Sequence, residues 1–399
     1  MRISVIQPTR NNLKYLKWAY QAIRNNQGAH IVEICVADDA STDGTWEWCQ
    51  QILAEGDTHF KCIRNEGPKR LGHTILYDKL INEVASYDIC MIYHADMYLC
   101  PGALDSIEKY IAPKTIVSLT RIEPPLHPAG PEKVLFDAGI EPDEFNEQAV
   151  LIKVAELSQL HENDLGTTEG IFAPWAFMKS DFQEIGGHDP LYAPQSKEDS
   201  DIFNRFQLNG VEFIQTWEGY VYHMTCRGSR FNPTLTTPGQ NSPEWERQNV
   251  KSTRNFIRKW GHFVKHDKYM KPIIPPKYLV GLYITQCSLE LLQALEPWFT
   301  AVYVENIDNL IDRYIEVEQP STTFDLRKKL RSRDSEKHVE ILVTVSGNQF
   351  TNQDFQYIQQ LSEIIEAHNE VGTFELGNLH IEIKALSHYE QSLIVCKTK

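Results

Sequence analysis

Short apolar runs alternate with helically spaced segments through the amino-terminal part of the chain, and this alternation restricts the fold more than any other feature. Arg2 to Gln7 reads as a strand, ended by Pro8-Thr9. Leu13, Leu16, Tyr20 and Ile23 then recur at helical spacing, with Asn11 or Asn12 as cap and Gly28 as stop. Ile31 to Ala37, Phe60 to Arg64 and Asp88 to Ile92 read as further strands, separated by helices over Thr45 to Ala54 and Leu71 to Ala85. Strict alternation predicts parallel strands joined by right-handed crossovers. All the strand-to-helix turns then share one sheet edge, the edge where open α/β sheets bind ligands. Thr9, Asp38, Asp39 and Asp96 are thereby expected to be neighbours.

The residue types at that edge suit a polar ligand. Ser41, Thr42 and Asp43 are explained by a tight turn and helix cap before Gly44. Two consecutive acids, Asp38 and Asp39, are less expected there, because their charges repel. Asp96 is an ordinary turn residue by itself, but His94 beside it makes the stretch after the fourth strand chemically capable. Farther on, Glu198, Asp199 and Asp201 precede a helically spaced Ile202-Phe203 and Phe206. Acids in a first turn complement the helix dipole, but the dipole does not require three of them. Val211 to Thr216 and Gly219 to Tyr222 read as strands, with His223 directly after. Thr225 to Arg247 reads as a long polar loop of the kind that orders over a ligand.

Size and charge bound the function. The chain has 399 residues, enough for two domains with separate cores. It is 42% hydrophobic and 23% charged, which is ordinary for a folded protein. A formal net charge of -15 argues against general nucleic-acid binding. No apolar run reaches the roughly 20 residues that cross a bilayer, and the first strand begins without a signal-peptide pattern. The eight cysteines show no zinc-ligand spacing. They are expected to be reduced thiols in a cytoplasmic protein.

Taken in order, Ile3 to Asn11, Ala37 to Thr45, His94 to Asp96, Gly186-Gly187-His188-Asp189, Glu198 to Asp201, His223 and Arg258-Lys259-Trp260-Gly261 resemble the family-2 glycosyltransferases of GT-A fold. The resemblance covers about the first 265 residues. It implies an α/β, Rossmann-like catalytic domain with a mostly parallel sheet flanked by helices. It implies that Thr9, Arg10, Asp38 and Asp39 hold the base and ribose of a sugar nucleotide, with UDP favoured and GDP allowed, since a carboxylate accepts the imide N–H of uracil. Lys69 and Arg70 match a region near the nucleotide and read equally well as a solvated basic turn. Asp96 and His223 match metal ligands for Mn2+ or Mg2+, and Asp199 matches the general base, with Glu198 helping to position the acceptor. His94 stands where the family often has a first Asp. Imidazole suits Mn2+ better than Mg2+, and a role for His94 and Ala95 against the nucleotide is expected. Trp175, Gly187 and His188 are candidates for acceptor contact, although Trp175 in an apolar run also reads as core. Arg227 and Arg230 would meet the diphosphate if their loop closes.

The domain division expected is 1–265, a proline-rich linker at 266–277, and a smaller α/β domain at 278–399. Two strand–helix–strand sets in the last part suggest an internal duplication. Arg327-Lys328-Lys329, Arg331 and Arg333 read as a solvated basic face or as a site for an anionic acceptor, membrane surface or partner subunit. The expected partners are a nucleoside-diphosphate sugar and a glycan or other hydroxyl acceptor, with homo-oligomer or peripheral association through the C-terminal domain left open. The expected activity is inverting, metal-dependent glycosyl transfer. A nucleotidyltransferase is the first rival, but its usual Gly-rich loop is here Pro8-Thr9-Arg10-Asn11-Asn12. A non-catalytic nucleotide-sugar-binding module is the second.

Overall fold

The computed structural model describes residues 1–161, 166–227, 240–335 and 337–396. The chain forms two compact units. The first comprises Met1–Gln248 with His266–Pro272 and the segment from Val395; the second comprises Asn249–Lys265 and Ile273–Ile394.

In the first unit the predicted alternation is present. Strands β1 (Arg2–Thr9), β2 (Ile31–Asp39), β3 (Phe60–Asn65) and β4 (Ile89–Ile92) lie in the order β3-β2-β1-β4, all parallel. Helices α1 (Leu13–Asn26), α2 (Thr45–Ala54) and α3 (His73–Lys79) make the crossovers. β1 and β2 are buried along nearly their whole length, which is why they read as unbroken apolar runs. The helix predicted over Leu71 to Ala85 is shorter: α3 is followed by a π-helical turn, Leu80–Val84.

The sheet then departs from a simple parallel order. After β4 come β5 (Met97–Leu99), α4 (Ala103–Tyr110), β6 (Thr115–Glu123), β7 (Lys133–Leu135), α5 (Glu147–His161), β8 (Thr167–Thr168), β9 (Trp175–Met178), α6 (Lys179–Glu184), α7 (Glu198–Leu208), β10 (Glu212–His223) and α8 (Pro243–Trp260). The sheet continues β4-β9-β6-β10-β5, with β9 antiparallel to both neighbours and β5 antiparallel to β10. β10 is one strand with a register shift between Thr216 and Tyr220, not two. α8 begins inside the segment predicted as loop, so the loop ends well before Arg247. His266–Pro272 is not a bare linker, because an isolated bridge joins His266 to Pro272 and Lys271 pairs with Glu169.

The second unit holds a six-stranded sheet of its own. Its elements are β11 (Val280–Thr285), α9 (Leu289–Leu295), β12 (Ala301–Val304), α10 (Leu310–Glu318), α11 (Leu326–Lys329), β13 (Leu330–Ser332), β14 (Ile341–Ser346), α12 (Asn352–Gln359), α13 (Leu361–His368), β15 (Gly372–Leu376) and β16 (Leu379–Ile383), in sheet order β13-β12-β11-β14-β16-β15. β11 pairs with β12 in parallel, whereas β14 pairs with β16 antiparallel. The two strand–helix–strand sets therefore differ in topology, and the suggested duplication is not present.

The predicted basic run is split. Arg327 and Lys328 face solvent, but Lys329 is buried and ion-paired to Glu296 at 2.6 Å. Glu296 is fully buried and also takes Arg258 at 2.6 Å and the Tyr314 hydroxyl at 2.8 Å. Burial pushes the Lys329 ammonium down to about 8, against the pull of Glu296. A carboxylate so placed is the counter-charge for two buried cations. Glu296→Ala is expected to cost about 3–5 kcal/mol in chemical denaturation, the range for removing one partner of a buried ion pair. An unchanged midpoint would show that water already reaches these groups.

Among the described residues, no helix is long and apolar enough to cross a membrane.

Candidate active site

The C-terminal ends of β1, β2 and β4 open on a cavity of about 600 Å³. Thr9 pairs with Asp38 across β1 and β2, so the two strand ends are level. Pro8, Thr9, Arg10 and Asp39 line the cavity from this side, and Thr9 Oγ1 is buried with no hydrogen-bond partner in the described residues. Consecutive strand residues face opposite sides, and β2 runs on to Asp39. Asp39 therefore faces the cavity while Asp38 does not.

Asp39 organises the adjoining wall. Its carboxylate accepts from Leu71 N at 3.0 Å, Gly72 N at 2.8 Å and Asn65 Nδ2 at 2.7 Å. Gly72 has φ +79°, and a Cβ there would lie 2.1 Å from the Pro194 carbonyl oxygen. Only glycine allows that approach. It brings the loop before α3 against the loop before α7, where Arg70 Nη2 donates to Gln195 at 2.9 Å.

A second group gathers past β4. β5 turns back antiparallel on β10 with Met97 opposite His223, and Met224 N donates to the Asp96 carbonyl at 3.0 Å. This pairing sets His223 Nε2 3.5 Å from Asp96 Oδ1. His94, Asp96 and His223 each offer a ligand atom, all within 4.8 Å of one another. Two imidazoles and a carboxylate form a donor set suited to a divalent transition ion. Burial opposes charge on His223, yet Asp96 and Glu123 on either side raise it to about 9. Burial lowers His94 to about 4, against the attraction of Asp96. Asp96 is held below its ordinary value, since the two imidazoles outweigh burial.

The third wall is the start of α7. Ser196 and Lys197 adopt positive φ, 80° and 72°, a strained arrangement of the kind found at functional sites. Glu198 is buried, and its Oε1 meets His73 Nε2 of α3 at 3.0 Å. Burial pushes its carboxyl up, but the His73 interaction prevails and the net shift is downward. Asp199 opens into the cavity and has no such partner among the described residues. Desolvation against the cavity wall and the neighbouring Glu198 charge raise it to about 6, although the side chain itself is exposed. Two adjacent carboxyls are thus pushed apart, which is how one site acquires a fixed anion and a proton acceptor.

Not every expected residue lies here. Asp38 is fully buried and holds the turn, accepting from Ser41 N at 3.0 Å with Arg64 Nε 3.3 Å away. Lys69 is exposed and lines no part of the cavity, because Asn65 Nδ2 bonds its carbonyl into the turn. Trp175 is core: β9 is sandwiched between β4 and β6, and its ring packs on Phe177 and Phe203 at 4.7 and 5.4 Å. Gly187 and His188 also lie off the cavity wall; the His188 ring is buried, bonded to Asp78 at 2.8 Å and stacked on Tyr77. Arg227 turns away to Ile140 O at 2.8 Å and Glu141 at 3.3 Å. Arg230 lies outside the described residues. The acceptor and lid roles therefore do not rest on Trp175 or Arg227.

Other cavity residues were not foreseen. Arg121 and Glu123 come from the end of β6. Their i, i+2 spacing in a strand was the available signal. His73 stood unremarked inside a predicted helix.

Residues 4–184 match the family model described as Glycosyl transferase family 2. That segment includes Thr9, Asp39, His94 and Asp96 and stops before Glu198, Asp199 and His223. Abequosyltransferase RfbV of Salmonella typhimurium strain LT2 is 30% identical over 112 residues, 28% of this chain and 33% of that protein, so the match spans about a third of its length. Among solved structures, the mannosyltransferase PcManGT from Pyrobaculum calidifontis, in complex with GDP-Man and Mn2+, has a TM-score of 0.43 at 16% identity, covering 82% of this chain and 77% of that one. GalNAc-T7 with UDP, GalNAc and Mn2+ gives 0.46 at 13%, covering 65% and 48%. TarS of S. aureus gives 0.42 at 15%, covering 64% and 40%. These likenesses are loose, and they carry no ligand or reaction over to this chain.

The raised Asp199 carboxyl has a consequence for stability. The folded state binds that proton more tightly than the unfolded chain, whose value is about 4. Stability therefore falls as pH rises from about 4 to about 6, and above that window a constant penalty remains. Asp199→Asn removes the charge and is expected to unfold later than the wild type at pH 7.5, with the gap closing as the pH approaches the unfolded value. A gap that does not vary with pH would contradict this.

Proposed function

We propose that the N-terminal unit transfers a sugar from a nucleoside-diphosphate sugar to an acceptor hydroxyl, with inversion at the anomeric carbon. The observation that carries this reading is convergence: the β1 and β2 ends, the His94–Asp96–His223 group and Asp199 all face one cavity. The family match over residues 4–184 supports the reaction class.

Thr9, Arg10 and Asp39 would meet the nucleoside end, with UDP favoured and GDP allowed. Arg70, beside them, is a cation for the diphosphate. Asp96, His223 and His94 would hold a divalent cation, and two imidazoles favour Mn2+ over Mg2+. When bound, the cation supplies charge neutralisation for the departing diphosphate. Asp199 takes the proton from the acceptor hydroxyl as its oxygen attacks the sugar. Glu198, fixed by His73, stays ionised and bounds the acceptor side. One base and no nucleophile on the protein correspond to a single displacement, the logic of inverting glycosidases.

A thermal-shift panel of nucleoside diphosphates, with and without Mn2+, tests the donor half. Stabilisation by one base, larger with Mn2+, is expected; indifference to all of them would end the reading. For the chemical half, Asp199→Asn is expected to lower transfer at least about 100-fold, as for loss of a general base, with nucleotide-induced stabilisation retained. Equal loss of both would remove Asp199 from the role of base.

A further inference from the structure

Glu123 stands beside the proposed metal group and is not one of its three residues. It ends β6, where Ile122 pairs in parallel with Tyr222 of β10, so the next residues, Glu123 and His223, are side by side. Its Oε1 lies 2.8 Å from His223 Nδ1. The same carboxylate takes Arg121 Nη1 at 2.8 Å and Lys133 Nζ at 3.2 Å. Glu123 is 1% exposed. Arg121 is itself buried, with its guanidinium 3.6 Å from the Phe172 ring centroid.

We infer that Glu123 is the positioning residue of the metal site: it holds His223 by Nδ1–H so that Nε2 is the nitrogen presented beside Asp96 and His94. The inference rests on the metal-binding reading above. The physical reason is one of geometry. An imidazole has two nitrogens, and the hydrogen bond made by one decides which is left for a metal. A free carboxylate could swing away, but Lys133 holds Oε2 while Arg121 shares Oε1 with His223, so both oxygens of this one are engaged. The carboxylate is thus part of a rigid frame before any ligand arrives, and His223 cannot turn its ring without breaking a buried charge-assisted bond.

Glu132 provides the control. It also lies near Arg121 and Lys133, 3.9 Å from each, but has no contact with His223. Removing its charge perturbs the same cations without freeing the imidazole.

Mn2+ titrations of the full chain, followed by the EPR signal of free Mn2+, test the proposal. Glu123→Gln is expected to weaken Mn2+ binding about 10–100-fold, the effect typical of losing a ligand's hydrogen-bond partner, and Glu132→Gln to stay close to wild type. If the wild type binds Mn2+, Asp96→Ala abolishes binding and Glu123→Gln binds like the wild type, the positioning role alone is overturned. A wild type that takes up no Mn2+ would overturn the metal reading and this inference together. Should Glu123→Gln fail to fold, the wild type loaded with Zn2+ still decides the matter. Its His223 ring nitrogens, read by 15N NMR, are expected to show a protonated Nδ1 and a metal-bound Nε2. Metal on Nδ1 would be the opposite result.

Discussion

Three residue pairs between β5 and β10 hold the chemistry of this cavity in place. Met97, Tyr98 and Leu99 face His223, Tyr222 and Val221. A slip of one residue would send His223 to the other face of the sheet, leaving Asp96 without its imidazole. Such a short ladder is weak alone, and side chains beside it lock the register. The Tyr222 hydroxyl donates to Gly139 O at 2.6 Å and accepts from Ala138 N at 3.0 Å. Tyr98 is bonded to Asn26 at 3.0 Å and to Glu147. On the far side of β10 the parallel ladder with β6 brings Glu123 level with His223. The position of one histidine is therefore determined from two strands at once.

Electrostatics follow from that framework. The chain is acidic, with a formal charge of -15, yet in the cavity cations and acids nearly balance. Arg10, Arg70, Arg121, Lys133 and Lys197 line it together with Asp39, Asp96, Glu123, Glu132, Glu198 and Asp199. The acids there are largely committed: Asp39 to backbone N–H groups, Glu123 to cations and His223, Glu198 to His73. A carboxylate whose lone pairs are occupied by donors repels an incoming anion less than a free one, because the donors' partial positive charge offsets it. A diphosphate can thus be received at this edge despite the global charge.

Local pattern made the parallel half of the sheet legible, because both the period of two and the period of 3.6 are properties of a few neighbouring residues. The convergence of Thr9 with Asp39 and Asp96 follows from that pattern and from handedness. The split between Asp38 and Asp39 was hidden, since the predicted strand stopped at Ala37 and a turn has no alternating faces. Two residues more of strand decide which acid reaches the cavity. Trp175 shows the same limit from another side: whether an aromatic in an apolar run is core or contact depends on β9 lying between β4 and β6. Glu123 and His73 were missed because the partners that give them a role, His223 and Glu198, are distant in sequence. Glu123 and His223 are 100 residues apart, and no window of sequence contains both.

The adjacent acids of α7 illustrate how packing assigns roles that composition cannot. Glu198 and Asp199 are one peptide apart, both in the first turn of the same helix, and both feel its dipole. Helical geometry points them about 100° apart, so only Glu198 reaches His73 across the groove that Gly72 and Pro194 keep narrow. Its ionised form is thereby favoured, and that fixed charge makes a second ionisation next door harder. Asp199 is raised first by desolvation against the cavity wall and then by the charge of its ionised neighbour Glu198, although its own side chain stays exposed. Desolvation and the ionised Glu198 together raise Asp199 to about 6, and the contact that keeps Glu198 ionised is the one to His73.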